Sequence, residues 1–461
     1  MADMQTLVLG LGESGLAMVR WLARQGVPLR VADSRTQPPG LDKLARLAPA
    51  AQVQTGPFSL DLLEGVGRIA ISPGIDPRQP LIDTARARGI PVVGEMDLLV
   101  EALVALGLRA QTRILAITGT NGKTTTTTLV GEMLQHAGLD AVVAGNISPA
   151  ALDVLVDRLE ADQPPPAAWV LELSSFQLET APPLAPDSAV VLNVTDDHLD
   201  RYADLDAYAA TKAAIYQNAR VAVLNRQDAR VQAMVPAAQA WSFGLDAPLG
   251  ARDYGLALHQ GDVWLFRGDE PLMPRAALPL AGQHNVANAL AALALAEGAG
   301  IDRALLLETL KTFRGLPHRV ELVGVREDGL QFFDDSKGTN VGATVAALEG
   351  LGRPVVLIAG GDGKGQDFSP LREVFAAHTR AVVLIGRDAP LIEAAVQGCG
   401  VPLVHASDMD QAVARAVALA EVGDVVMLSP ACASMDMFRN YAHRAEVFVN
   451  ALLALPGVRR P

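Results

Sequence analysis

Short apolar runs, each about as long as one strand and each ending in glycine, serine or an acid, recur along this chain. They alternate with longer stretches in which apolar residues return every three or four positions. That alternation predicts parallel sheets joined by crossover helices, an α/β architecture. The first run, Thr6 to Leu9, enters the turn Gly10-Leu-Gly-Glu-Ser-Gly15 and then an amphipathic helix to about Gln25. The next strand, Leu29 to Asp33, ends in an acid at the distance a dinucleotide-binding fingerprint asks for. Ile69-Ala-Ile-Ser-Pro-Gly74 is another strand ending in a turn, and a boundary is expected near Gly94, followed by a connecting helix from Glu95 to Leu106. A second segment carries strands around Ile114, Ala168 and Ala189, then a glycine-punctuated, strand-rich excursion from Trp241 to Leu280. A third starts around Gly315, with Glu327-Asp-Gly329 as a hairpin signal and further strands at Val355, Ala381 and Val425. The expected segments are 1–94, 95–314 and 315–461. Sites at the strand ends of three such units predict a cleft that closes between domains.

Composition narrows the function. Half of the residues are hydrophobic while aromatics make up only 4%, which fits alanine- and valine-rich α/β domains and not a disordered chain. A net charge of −13 without a basic run argues against nucleic-acid binding. An anionic ligand must then be met locally, by helix N-termini, a metal and a few Lys or Arg. Cys399 and Cys432 are too few for a disulfide framework and lack metal-binding spacing. No basic leader opens the chain and no apolar run reaches membrane-spanning length, so a cytoplasmic protein with no membrane span is expected.

The most informative run is Ile114 to Thr125, a buried strand entering Gly119-Thr-Asn-Gly-Lys-Thr-Thr125. Small residues there expose backbone N–H groups as an anion nest at a helix N-terminus; Lys123 can reach β- and γ-phosphates and the Thr124 hydroxyl can ligate Mg²⁺. Ile117 stands where the usual phosphate loop has its first glycine, so this is a shorter form. Glu172, at the end of Ala168-Trp-Val-Leu-Glu172, is placed either to hold Mg²⁺ or simply to face solvent. His198, near Asp196, Asp197 and Asp200, reads as a metal ligand, a substrate contact or a structural histidine. Lys212, on an alanine-rich helix, reads by itself as a solvated surface residue.

In the third segment, Asp334-Asp-Ser-Lys-Gly-Thr-Asn340 gathers acids, a lysine and hydroxyls in one turn. Asp335 and Lys337 can address ribose and phosphate, and Asp335 or Ser336 can equally cap a helix. Lys364 in Gly360-Gly-Asp-Gly-Lys364 can neutralise a carboxylate. Ser429-Pro-Ala-Cys-Ala-Ser434-Met-Asp436 is expected to join strand to helix, with Ser434 offering an anion site at the helix start.

Read together, Gly119 to Thr124, Leu171-Glu-Leu-Ser-Ser-Phe-Gln-Leu178, Asn193-Val-Thr-Asp-Asp-His-Leu-Asp-Arg201, Gly282-Gln-His-Asn-Val-Ala-Asn288 and Leu316-Pro-His-Arg-Val-Glu321 stand in the order of the Mur ligases, which the chain resembles along nearly its whole length. Gly145-Asn-Ile147, the 334–340 turn, Gly360 to Lys364 and Ser429 to Ser434 resemble the branch that adds D-glutamate. The resemblance implies three α/β domains: an N-terminal Rossmann-like sheet for the UDP moiety, a central P-loop ATPase sheet, and a C-terminal Rossmann-like sheet that closes over nucleotide and amino acid. It implies ligation of D-glutamate to UDP-N-acetylmuramoyl-L-alanine, by a monomer, in peptidoglycan precursor synthesis. The cofactors implied are ATP, Mg²⁺ at two sites, and CO₂ held as a carbamate on Lys212, a reversal of the surface reading. By matching position, the UDP-substrate contacts fall on Ser14, Leu16, Ser34, Arg35, Gly74 and Asn146. ATP falls on Gly119, Thr120, Asn121, Gly122, Lys123, Thr124, Thr125, Asn285, Asn288, Arg319, Asp335 and Lys337. Metal ligands fall on Thr124, Glu172, His198 and carbamylated Lys212, with Lys123, Glu172, His198 and Lys212 as the catalytic set. D-glutamate falls on Thr339, Lys364, Ser434, Met435 and Tyr441. Two departures stand out: Ile147-Ser-Pro149 where Ile-Gly is expected, and Tyr441 where some members carry Phe. Three rival readings remain: a different amide ligase such as a folylpolyglutamate synthase, an NAD oxidoreductase built on Gly10 to Gly15, and a non-catalytic nucleotide-binding module.

Overall fold

The computed structural model describes residues 4–180, 184–197, 201–235 and 240–461. Among these, three sheets form. The first is fully parallel, in the order Gln52–Thr55, Leu29–Asp33, Gln5–Leu9, Val66–Ile71, Val92–Val93. Leu7, Val8 and Leu9 are all sealed from solvent, as a central strand covered on both faces requires. The helix Glu13–Arg24 packs through Ala17, Met18, Trp21 and Leu22.

The second sheet runs Glu270–Pro274, Asp262–Arg267, Asp253–His259, Ala240–Phe243, Ala222–Asn225, Ser188–Val191, Arg113–Thr118, Ala168–Glu172, Ala141–Gly145. It is parallel from Ala141–Gly145 as far as Asp253–His259; the last two strands fold back antiparallel. These are the strands of the excursion anticipated after Trp241. Arg113–Thr118 sits between Ala168–Glu172 and Ser188–Val191, so the strand feeding the glycine turn is flanked by the two that end in Glu172 and lead towards Asn193.

The third sheet is mixed, in the order Leu403–His405, Thr379–Ile385, Val355–Gly360, Val425–Leu428, Gln331–Asp334, Glu321–Arg326, Val458–Arg459. The hairpin anticipated at Glu327 to Gly329 joins Glu321–Arg326 to Gln331–Asp334. The chain forms two compact units. Met1–Val194, His198–Arg275 and Ala289–Leu310 make the first, which holds the first two sheets; Thr195–Asp197, Ala276–Asn288 and Lys311–Pro461 make the second, which holds the third. No described helix is long and apolar enough to cross a membrane.

Two local expectations are corrected. The helix after the 334–340 turn is Val341–Leu351 and its cap is Asn340, whose side chain accepts from Ala343 N at 2.8 Å, so neither Asp335 nor Ser336 caps it. The segment from Ser429 does not run straight into a helix. Ser434 O accepts from Met437 N and Phe438 N in a turn, and the helix Tyr441–Leu453 starts only after Asn440, which caps it.

Candidate functional site

The glycine turn of the first unit is shaped by two backbone requirements. Gly122 caps the helix Lys123–His136 with φ +83°, a left-handed conformation that side chains resist. A Cβ on Gly119 (φ +154°) would come within 2.9 Å of Leu192 Cβ. A brace from the neighbouring strand end fixes the turn further. Asn121 N donates to Asn193 Oδ1 at 2.8 Å, Asn193 Nδ2 donates back to Asn121 O at 3.1 Å, and Thr120 N donates to Asn193 O at 3.0 Å. Asn193 stood only inside a motif in the sequence; an asparagine at the end of the strand beside a phosphate loop is the signal that would have assigned it.

Two ammonium groups converge on one oxygen here. Lys123 Nζ donates to Gly119 O at 2.9 Å and to Thr120 O at 2.8 Å, and Lys212 Nζ donates to the same Gly119 O at 3.0 Å. Lys212 is 1% exposed and its Nζ lies 4.4 Å from the Tyr208 ring centre. The surface reading of Lys212 is therefore overturned: the alanine-rich helix Leu205–Ala213 turns this position into the core. Glu172 is likewise buried, at 3%. Its Oε1 accepts from Asn146 Nδ2 at 2.8 Å, which joins a residue expected at the sugar nucleotide to one expected at a metal. Its Oε2 is buried with no hydrogen-bond partner among the described residues. A buried, unsatisfied carboxylate oxygen is costly unless something absent from the chain completes it. A hard cation fits, since oxygen ligands suit Mg²⁺. Thr124 stays half-exposed at the helix start, whereas Thr125 is buried at 3%. His198 lies outside the described residues.

The earlier glycine turn is built differently. A Cβ on Gly15 would come within 2.0 Å of Gly10 O, so the helix start sits hard against the strand end. Asp33 does not wait for a ribose. Its Oδ2 accepts from Leu11 N at 2.7 Å, and Arg35 forks onto both its oxygens at 2.8 and 2.7 Å. The Arg35 guanidinium, with the backbone N–H donors, holds the Asp33 carboxyl down at about 2 against the cost of burial. That engagement removes the acid on which the dehydrogenase reading leaned. Ser34, Arg35, Gly74 and Asn146 are exposed, and Ser14 and Leu16 half-buried. Ser148 donates to Glu13 Oε2 at 2.7 Å, and the Ser148–Pro149 peptide is cis.

In the second unit, Asp335 is buried at 6%, accepting from Ser429 Oγ at 2.6 Å and Val320 N at 3.3 Å. Burial pushes its carboxyl up to about 7, against the Ser429 hydrogen bond and the Arg319 charge, which lower it. Asn285 and Asn288 open the helix Gln283–Gly298 and meet at 3.4 Å. Lys337 Nζ stands 3.9 Å from the Tyr441 ring centre, and the His318 ring meets the other partner of that contact edge-on at 6.0 Å. His318 Nδ1 is 2.6 Å from Asp334 Oδ2, which raises the imidazole's pKa. A bridge between Asp362 and Ala433 brings the turn of Lys364 alongside Ser434. Lys364 is exposed with φ +50°, and Met435 is 68% exposed, while Ser434 is buried and Thr339 half-buried. Sequence reasoning missed Arg444. It is fully buried and donates to Ser336 Oγ, Ser336 O and Cys432 O at 3.0, 2.8 and 3.1 Å, stitching two of the predicted turns together. Burial lowers its pKa to about 10.

Three family models match the chain: a Mur ligase MurD-like N-terminal domain over residues 4–94, a Mur ligase middle domain over 117–296, and a Mur ligase glutamate ligase domain over 318–432. A UDP-N-acetylmuramoylalanine–D-glutamate ligase of Aromatoleum aromaticum is 64% identical over 98% of both chains. One from Nitrosomonas europaea is 51% identical over 97% of this chain and 95% of its own. Among solved structures, the UDP-N-acetylmuramate-alanine ligase MurC of Thermotoga maritima superposes with a TM-score of 0.57 at 20% identity, covering 97% of this chain and 98% of that one. A pseudomurein peptide ligase type C from Methanothermus fervidus gives 0.55 at 18% identity, over 97% and 99%.

Proposed function

The chain belongs to the Mur ligase family, and we propose that it joins D-glutamate to UDP-N-acetylmuramoyl-L-alanine with ATP as phosphoryl donor, a cytoplasmic step in building the peptidoglycan precursor. The near full-length likeness to ligases of that name carries the choice of acceptor and amino acid. Residues 1–94 then receive the UDP moiety, 95–314 form the ATPase segment, and 315–461 close over the nucleotide and D-glutamate.

An amide forms uphill from a carboxylate in water, so the carboxylate needs activating. An oxygen of the alanyl carboxylate attacks the γ-phosphorus, the bond to the β-phosphate oxygen breaks, and ADP leaves behind an acyl phosphate. The D-glutamate amine then attacks the acyl carbon, and the tetrahedral intermediate expels inorganic phosphate. Backbone N–H groups of the Gly119 to Thr124 turn cradle the phosphates, and Lys123, swung off Gly119 O, follows the charge as it moves to the leaving oxygen. Thr124 and the Glu172 oxygen that has no hydrogen-bond partner among the described residues would hold Mg²⁺, which would supply charge neutralisation on the transferring group. Asn146 keeps the other Glu172 oxygen in place. His198 enters this scheme through the family resemblance alone.

Lys212 is the carbamylation candidate. A cation buried beside a second cation is unfavourable. Once the ammonium has given up a proton, the neutral Nζ attacks CO₂, forming an N–C bond and releasing a second proton, so that a carbamate carboxylate stands in place of the cation and would suit a second Mg²⁺. In the second unit Asp335, Asn285, Asn288, Arg319 and Lys337 take the adenosine and phosphate side, and Thr339, Lys364, Ser434, Met435 and Tyr441 take D-glutamate.

The test is phosphate release from ATP and Mg²⁺ with UDP-N-acetylmuramoyl-L-alanine, comparing D-glutamate, L-glutamate, L-lysine and no amino acid. Release that needs both the sugar nucleotide and D-glutamate is expected. Release with another amino acid moves the substrate within the family, and release confined to a folate acceptor overturns the reading.

A further inference from the structure

One arginine of the central segment reaches into the turn that carries Gly74. Arg201 Nη1 donates to Pro73 O at 3.1 Å and Nη2 donates to Ile75 O at 3.3 Å, so the guanidinium holds the carbonyls on either side of Gly74. The same group forks onto Glu179, with Nε at 3.4 Å from Oε1 and Nη2 on Oε2, and its carbon lies 4.0 Å from the Phe176 ring centre. Both charged side chains are only 9% exposed. Arg78 closes the cluster from the other side, 3.5 Å from Glu179 and 5.6 Å from the Tyr202 ring centre.

The gripped turn in turn packs against the first glycine turn. Ser72 Oγ donates to Gly10 O at 3.4 Å, Ile75 N donates to Ser72 O at 3.0 Å, and a Cβ on Gly15 would come within 2.7 Å of Ser72 Oγ. A shift of the 73–75 turn would therefore be felt at Gly10 and Gly15. Two carbonyls and a carboxylate satisfied by one planar group call for the donor fork of arginine; a lysine ammonium cannot span them. A buried ion pair is weak evidence for stability, and it is better explained by the geometry that it fixes.

We propose that Arg201, held by Glu179 and Phe176, is a positioning residue for the sugar nucleotide: it fixes the turn around Gly74 from the segment that also carries the ATP-site residues, without touching the reacting atoms. The inference rests on the reading that this turn meets the UDP substrate. Arg201→Lys keeps the charge and much of the packing but loses the fork, so it separates positioning from folding.

The experiment measures KM for UDP-N-acetylmuramoyl-L-alanine and for ATP, kcat and the melting temperature in the full chain, for wild type, Arg201→Lys, Glu179→Gln and the double variant. Arg201→Lys is expected to raise the sugar-nucleotide KM about tenfold, with the ATP KM and kcat within about threefold of wild type and the melting temperature unchanged. The double variant should be no worse than the more affected single one, because the two side chains act as one unit. An unchanged sugar-nucleotide KM in Arg201→Lys overturns the proposal. So does a fall in all parameters together with the melting temperature, the mark of a purely structural residue. If wild type itself shows no dependence on the sugar nucleotide, the functional reading fails first, which the wild-type arm reports separately.

Discussion

The turn at Gly10 to Gly15 and the turn at Gly119 to Gly122 start alike, each a sealed parallel strand passing through a left-handed glycine into a helix, and they differ in what the neighbouring strands bring to them. Beside the first, Asp33 is spent on Leu11 N and Arg35, so an anion there meets backbone dipoles and exposed polar side chains. Beside the second, two lysines share Gly119 O and Glu172 keeps a buried oxygen with no partner among the described residues. Glycine spacing dictates the shape of a turn. The charges beside it differ between the two, and in the function proposed above the first turn meets a diphosphate and the second carries phosphoryl transfer under a cation.

Removing the charge that distinguishes the second turn should have the largest effect. Lys123→Ala is expected to lower turnover by at least about 10³-fold, with the melting temperature unchanged, because in the proposed scheme the lysine acts on the transferring group and not on the core. Near-normal ligation by this variant would erase the contrast between the turns. Lys212→Ala, or exhaustive removal of CO₂ from wild type, should cost on the order of 10²-fold, about what one well-placed electrostatic group contributes. A small carboxylate added to the Lys212→Ala variant should restore part of the loss; activity indifferent to CO₂ would refute the carbamate.

A smaller effect should come from the brace. Asn193→Ala removes two hydrogen bonds to Asn121, and a loss of about 1 kcal/mol for each predicts an ATP KM raised roughly tenfold or more. The sugar-nucleotide KM should stay put, since Asn193 supports only the second turn. An equal rise in both would show that the two turns are not independent.

The smallest effects are on stability, and they contrast two buried acids. Asp33 is held near 2, below the ordinary 3.8, so its contribution is present above 3.8 and lost only as pH falls towards 2. Asp335 is pushed up to about 7, so below 3.8 it is protonated in both states and costs nothing; as pH rises from 3.8 towards 7 the unfolded chain releases the proton that the fold keeps, stability falls, and above 7 the cost levels off. The melting temperature of Asp335→Asn relative to wild type should therefore climb by a few degrees between pH 5 and 8, while that of Asp33→Asn relative to wild type stays level over the same range. A flat difference for Asp335→Asn would mean that Ser429 and Arg319 already compensate its charge.

The sheets, the hairpin after Glu327, the helix at Glu95 and the phosphate turn were legible because each is written in contiguous residues: an apolar run, a glycine where φ turns positive, a helix start. The cap at Asn340 was misread because five polar residues in one turn can each cap a helix, and only the buried bonds from Ser429 and Val320 remove Asp335 from the contest. Lys212 was misread from its own surroundings because alanine-rich helices carry little amphipathic signal; its burial is decided by Tyr208 and by a carbonyl far back in the chain. Asn193, Arg201 and Arg444 escaped notice for the same reason. Their work is done on backbone carbonyls and amides of distant segments, and no local pattern records such partners.

The most direct test of the contrast between the turns is calorimetric titration of wild type and Lys123→Ala with UDP-N-acetylmuramoyl-L-alanine and, separately, with ATP and Mg²⁺. Sugar-nucleotide affinity within about threefold of wild type, with ATP weakened by about a hundredfold or more, is the predicted result, since each tenfold corresponds to about 1.4 kcal/mol and only the second turn loses its charge. Equal weakening of both ligands, or of neither, would contradict the assignment of one turn to each.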